Sequence, residues 1–256
     1  MMIRQLSLGI ALTLGIVACG SGDDAGTTEE QSESPATAQA AGDATVSGSV
    51  SFAGTPPENP AIDMAEEAAC AQKHSGQPRD PEVAVSDGRL ANVVVYVKSG
   101  LPAGQTFPTP TKAVTIDQDG CLYTPRHLAV MAGQEIDIKN SDPLLHNIKA
   151  VPTENRGFNI SQPSEGMTTT RTFSEAEANV PLECNVHSWM HANVMVLPHP
   201  YFATTGPDGS FNIRGLPAGT YEIEAHHPKL GARTATVTVE EGGSATTDFT
   251  FGTATS

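Results

Sequence analysis

From residue 44 onward, apolar and polar positions alternate in short runs, separated by Gly, Pro, Asn and Asp. "ATVSGSVSFAG" (44–54), "LANVVVYVKSG" (90–100), "HLAV" (127–130), "EIDI" (135–138) and "NVMVL" (193–197) are such runs, and "TATVTVE" and "TTDFTF" repeat the pattern near the C-terminus. A period of two sends successive side chains to opposite faces of a strand, and the intervening residues carry turn chemistry. The expected fold class is therefore all-β. Beyond residue 199 only about four strands can be read, short of the roughly seven that a sandwich needs. The missing ones are sought upstream, at 44–54 and 90–100. The expectation is a split outer sandwich, 45–104 plus 199–252, with a second β unit at 112–198 inserted between its halves. Two independent tandem units are the alternative. Pairing of Val50 with the C-terminal strands supports insertion, and pairing of Val50 only with 112–198 speaks against it. Residues 55–89, with five prolines, read as a long loop.

The first residues follow a different pattern. Arg4 precedes an apolar run from Leu6 to Ala18, which ends at Cys19. The run is shorter than the ~20 residues a spanning helix takes and has the layout of an export signal, 1–18. "IVAC" (16–19) resembles the lipobox of bacterial lipoproteins, which implies that Cys19 is acylated and anchors the chain in a lipid bilayer. Several acyl chains on one residue suffice for stable anchoring. Residues 19–44 hold six acidic and no basic residues among Gly, Ser, Thr and Ala, and read as a disordered tether spanning roughly 25–30 Å. The expected location is the cell envelope, facing the periplasm. Gly20 after the cysteine leans by the family rule toward the outer membrane.

Charge narrows the partners. With 14 Lys+Arg against 29 Asp+Glu, nothing here neutralises a row of phosphates, so nucleic acid is excluded. No H-E-x-x-H, G-x-S-x-G or Walker-type motif occurs, and the expectation is a protein that is not an enzyme.

The chain has four cysteines, at 19, 70, 121 and 184. In an oxidising compartment the remaining thiols should be paired or metal-bound. Cys70 and Cys121 have no His or Cys at ligand spacing, so one disulfide between them is the economical reading, against pairings that use Cys184. Cys184 opens "CNVHSWM", with His187 and Met190 following, and His146 lies upstream in "NSDPLLHNI". Two imidazoles, a thiolate and a weak thioether form the donor set of an electron-transfer copper site. Structural zinc would ask for a further Cys, and calcium or magnesium for oxygen donors. His191, beside Met190, competes as a ligand, but neighbours on a strand point opposite ways and Met190 is favoured. His127, His199, His226 and His227 read as structural or surface groups, His74 has no assigned role, and Met131 and Met195 read as core.

"NSDPLLHNI", "CNVHSWM" and the strand pair "YTPRHLAVMAGQEIDIKN" together resemble the cupredoxins, the Greek-key β-sandwiches of type 1 blue copper proteins, with the short ligand loop of the amicyanin-like branch. The resemblance covers 112–198. It implies one copper ion held by His146, Cys184, His187 and Met190, with Asn147 bracing the ligand loop. It also implies a redox protein as partner, docking near His187 and Trp189, with His187 as the electron port. "TTGPDGSF" and "LPAGTYEI" resemble the carboxypeptidase regulatory-like (prealbumin-like) β-sandwich. The function expected is a lipid-anchored single-electron carrier. Copper handling without electron transfer, or a plain interaction module, are the alternatives.

Overall fold

A computed structural model describes residues 42–252. The export signal, Cys19 and the tether up to residue 41 lie outside the described residues. Within them the chain is almost wholly β, with a single helical turn at Ala68–Ala71.

The strand Ala44–Ala53 pairs antiparallel with Ser210–Leu216 and parallel with Ser244–Thr246 and Phe249–Gly252. Val50 lies opposite Phe249, and Phe52 opposite Phe251. The facing sheet runs Phe202–Thr204, Val94–Ser99, Gly219–His227, Gly231–Val239. Val46, Val50 and Phe52 alternate inward against Val95, Val97 and Ile223 of that sheet, as the period of two requires. Gly48 interrupts the apolar series where the backbone passes the carbonyl of Thr247; a Cβ there would stand 1.7 Å from that oxygen.

Between Ser99 and Phe202 the chain builds a second sandwich. One sheet is ordered Phe158–Gln162, His146–Ala150, Glu177–Glu183, His191–Leu197, His127–Met131. The other is ordered Thr168–Arg171, Ile136–Asn140, Val114–Asp119, Leu122–Thr124. His127–Met131 and Ile136–Asn140 follow one another in sequence yet lie in different sheets, each paired in parallel with a distant strand. Gly133, at φ +81°, makes the turn between them. Ile116, Val130, Ile138, Ile148 and Val194 fill the space between the sheets. The two sandwiches pack sheet against sheet through Val94, Ala129, Met195 and Leu197.

The stretch read as a loop within 45–104 departs from expectation. Ile62, Met64 and Cys70 are buried in the core of the inner sandwich, not the outer one. The reason is apolar burial combined with a covalent link: Cys70 is disulfide-bonded to Cys121 on the hairpin between Val114–Asp119 and Leu122–Thr124.

Candidate metal centre

His146 begins the strand His146–Ala150, while Cys184, His187 and Met190 occupy the loop between two paired strands. Glu183 stands opposite His191, so residues 184–190 form a closed connection. The Cys184 N–H donates to the Met190 carbonyl at 3.1 Å, and the Met190 N–H donates to the His187 carbonyl at 2.9 Å. These bonds tie both ends of the loop and turn its side chains inward. All four are buried: His146 at 0 %, Cys184 at 6 %, His187 at 2 % and Met190 at 1 % exposure.

The donors of His146, Cys184 and His187 all lie within 4.8 Å of one another. The two Nδ1 atoms are 3.1 Å apart, and Cys184 Sγ is 3.9 Å from His187 Nδ1. Burial by itself would raise the Cys184 thiol's pKa, but hydrogen bonds from the His187 ring and from the N–H groups of His187 and Val186 outweigh it and lower the pKa. A thiol eased toward thiolate, beside two imidazoles in a dry pocket, suits a soft or borderline transition metal.

His191 turns away from this cluster. Its Nε2 is 2.9 Å from Asp80 Oδ2, and Arg126 donates to the same carboxylate. Asn147 connects three segments: its amide donates to Asn159 Oδ1 and the Ile160 carbonyl, and its Oδ1 accepts from the Asn185 N–H. It thereby ties the ligand loop to the neighbouring strand. Asn140, fully buried, donates to the carbonyls of Leu144 and Gln162 and accepts from the Asp142 N–H, which shapes the loop leading to His146. Met195 and Met131 are buried, as read from the sequence. His199 donates to the Val97 carbonyl, and His227 is fully buried.

Sequence reasoning missed the group that orients His146. Asp142, four residues earlier in "NSDPLLHNI", accepts from His146 Nε2 at 2.8 Å. It also accepts from the Gly120 and Cys121 N–H groups and pairs with Lys73 at 2.7 Å. Burial pushes its pKa up, but these donors prevail and bring it down to about 2. A carboxylate on Nε2 fixes the tautomer and leaves Nδ1 with a free lone pair, an arrangement common behind metal-bound histidines. The i, i−4 carboxylate was the available signal, hidden because that segment read only as a loop.

His187, the electron port that the resemblance implies, is buried. Cys70 Sγ lies 3.8 Å from His187 Nε2, so the disulfide covers the edge that the resemblance assigned to a partner. Trp189 packs with its ring centroid 5.2 Å from that of His187 and donates its Nε1–H to the Cys121 carbonyl at 3.0 Å. His74 contacts the Gly120 carbonyl at 2.7 Å. Residues 62–74 thus form a cap on the inner sandwich: Ile62, Met64 and Cys70 are buried in its core, and Cys70 reaches His187. Apolar side chains that remain exposed beside the cluster are Leu145 (43 %) and Val186 (48 %).

No curated protein matches the chain. Among solved structures it is similar to a purple cupredoxin from Nitrosopumilus maritimus at 22 % identity, covering 33 % of this chain and 99 % of that one with a TM-score of 0.29. It is likewise similar to amicyanin from Paracoccus versutus at 21 % identity, 40 % and 97 % coverage and a TM-score of 0.30. A Cu-containing nitrite reductase from Thermus scotoductus matches at 20 % identity, over 39 % of this chain and 25 % of that one, with a TM-score of 0.28. Residues 189–252 match the carboxypeptidase regulatory-like domain family.

Proposed function

We propose that the protein is a copper-dependent single-electron carrier of the cell envelope, anchored through acylated Cys19 and facing the periplasm, with the outer membrane favoured. One copper ion would be held by His146, Cys184, His187 and Met190. The observation that carries this reading is the convergence of two imidazole Nδ1 atoms and one thiol, from segments 38 residues apart, in a water-excluding core. Bound there, copper supplies a one-electron couple.

The chain's own residues prepare that site. Asp142 holds His146 in the Nε2–H tautomer, with the Nδ1 lone pair free to bind a metal. The N–H groups of Val186 and His187 face the sulfur, each at 3.4 Å, and stabilise negative charge on it. The short closed loop and the hydrogen bonds of Asn147 resist movement of the donors, which keeps reorganisation small when charge changes. We further propose that 45–104 with 199–252 form the split outer unit around the 112–198 unit, with residues 62–74 lent to the inner one. A redox protein would dock on the apolar Leu145 and Val186 beside the sealed His187 and Trp189.

The sealed His187 also favours a second reading, copper handling without rapid electron exchange. Adding copper to the metal-free chain separates them. The carrier gives an intense visible thiolate-to-copper band that a reductant bleaches reversibly and that Cys184→Ser abolishes. Tight Cu(I) binding without that band supports handling, and no binding overturns both.

A further inference from the structure

The cap places two more soft donors beside the same imidazole. Cys70 Sγ, Cys121 Sγ and a His187 ring nitrogen lie within 4.8 Å of one another, and all three residues are buried. The hydrogen bonds decide which nitrogen of His187 is available. The Asp142 carboxylate accepts from His146 Nε2, so a neutral His146 carries its lone pair on Nδ1. That lone pair lies 3.1 Å from His187 Nδ1 and Cys184 Sγ lies 3.9 Å from the same atom, so the His187 ring proton sits on Nδ1 and is shared between them. His187 Nε2 is left as an acceptor, 3.8 Å from Cys70 Sγ. While the disulfide is closed, Nε2 meets only a weakly interacting sulfur. Once it is reduced, the same nitrogen faces two thiols.

We propose that the reduced chain holds one monovalent copper ion between Cys70 Sγ, Cys121 Sγ and His187 Nε2. A dithiol reductant delivers two electrons and two protons to the disulfide and leaves as a cyclic disulfide. Copper enters and stays as Cu(I), and the two thiols release their protons to solvent on binding. Thiolate and imidazole donors suit Cu(I), and three neighbouring donors meet its low coordination demand. Closing the disulfide withdraws both thiolates and removes the site. A neutral imidazole offers one lone pair, so His187 serves either this outer site through Nε2 or the inner cluster through Nδ1. The outer site is thereby placed to receive copper ahead of the inner one. It does not depend on the inner cluster being an electron-transfer centre.

The test uses the full chain with Cys184→Ser, which removes the inner thiolate. The protein is reduced anaerobically with a dithiol, desalted, and titrated with Cu(I) against a chromophoric Cu(I) chelator. Reduced C184S should withdraw one equivalent, with affinity at least 100-fold above that of the disulfide form. Adding His187→Gln should weaken the reduced form by 10-fold or more, and bound Cu(I) should protect Cys70 and Cys121 from alkylation. Equal affinity of the reduced and disulfide forms overturns the proposal. So does equal affinity with and without H187Q, which marks a bare dithiol, including one in a chain that has lost its β circular dichroism on reduction. An absent visible band in the wild-type chain bears only on the inner copper and leaves these outcomes unchanged.

Discussion

At the scale of single residues, Asp142 orients His146 and ties three segments together. Its carboxylate is fully buried and holds His146, Lys73 and two backbone N–H groups at once. Asp142→Asn keeps the shape but removes the charge that selects the His146 tautomer. Outer partners of metal-bound histidines contribute about 10–100-fold in affinity. Copper competition titration should show a loss of that order, with the inner-site spectrum shifted.

His127 makes a contrasting case. It is 5 % exposed, and both ring nitrogens lack a partner among the described residues. Burial, with His227 close by, lowers its pKa to about 3. The unfolded chain takes up this proton below about pH 6.5, while the native state refuses it until about pH 3. Stability should therefore fall as pH drops through that window. His127→Leu removes both the orphaned nitrogens and the proton linkage. Denaturant unfolding should find it more stable by about 1–2 kcal/mol at pH 7. The advantage should widen by roughly 3 kcal/mol at pH 4. A variant less stable at both pH values contradicts this account.

At the scale of elements, the hairpin turn and the cap work together. Gly120 and Cys121 both have positive φ, at 63° and 56°, the pair a two-residue hairpin of this hand requires. A cysteine tolerates that conformation poorly, and it is held by Asp142 accepting its N–H and by the bond to Cys70. The disulfide spans a separation of 51 residues. Chain-entropy arithmetic for such a loop gives about 4 kcal/mol of stabilisation. Replacing both cysteines with serine should lower the denaturation midpoint accordingly and raise amide exchange at Ala71 and Gln72, whose N–H groups bond within the cap. Unchanged exchange would show that apolar packing of Ile62 and Met64 holds the cap unaided.

At the scale of the whole molecule, the strand Ala44–Ala53 joins the first and last described segments by pairing with strands beyond residue 209. Val50→Asp would bury a charge between Phe249 and the facing sheet. It should destabilise the outer sandwich by more than about 3 kcal/mol. Limited proteolysis should then cut first between 199 and 252. Cuts confined to 112–198 would show that the two sandwiches unfold the other way round.

This layout also shows what a single sequence reveals. The alternation at 44–54, 90–100 and 210–251 gives strands and their faces, because period two is a local property. "NSDPLLHNI" and "CNVHSWM" give the donor types, because ligand chemistry is written in side chains. Which sheet each strand joins is not local: 127–131 and 136–140 part company at Gly133, and nothing in their pattern says so. The cap was illegible for the same reason. Residues 55–89 look like a loop until Ile62, Met64 and Cys70 find burial against partners about 50 or more residues away.

The inner cluster is proposed to bind one copper ion. Copper K-edge X-ray absorption on the copper-loaded chain, oxidised and then reduced, tests it most directly. One copper with two imidazole nitrogens and one short sulfur is expected in both states, their distances changing little on reduction. A spectrum with no sulfur donor, or one whose ligands are exchanged on reduction, would contradict it.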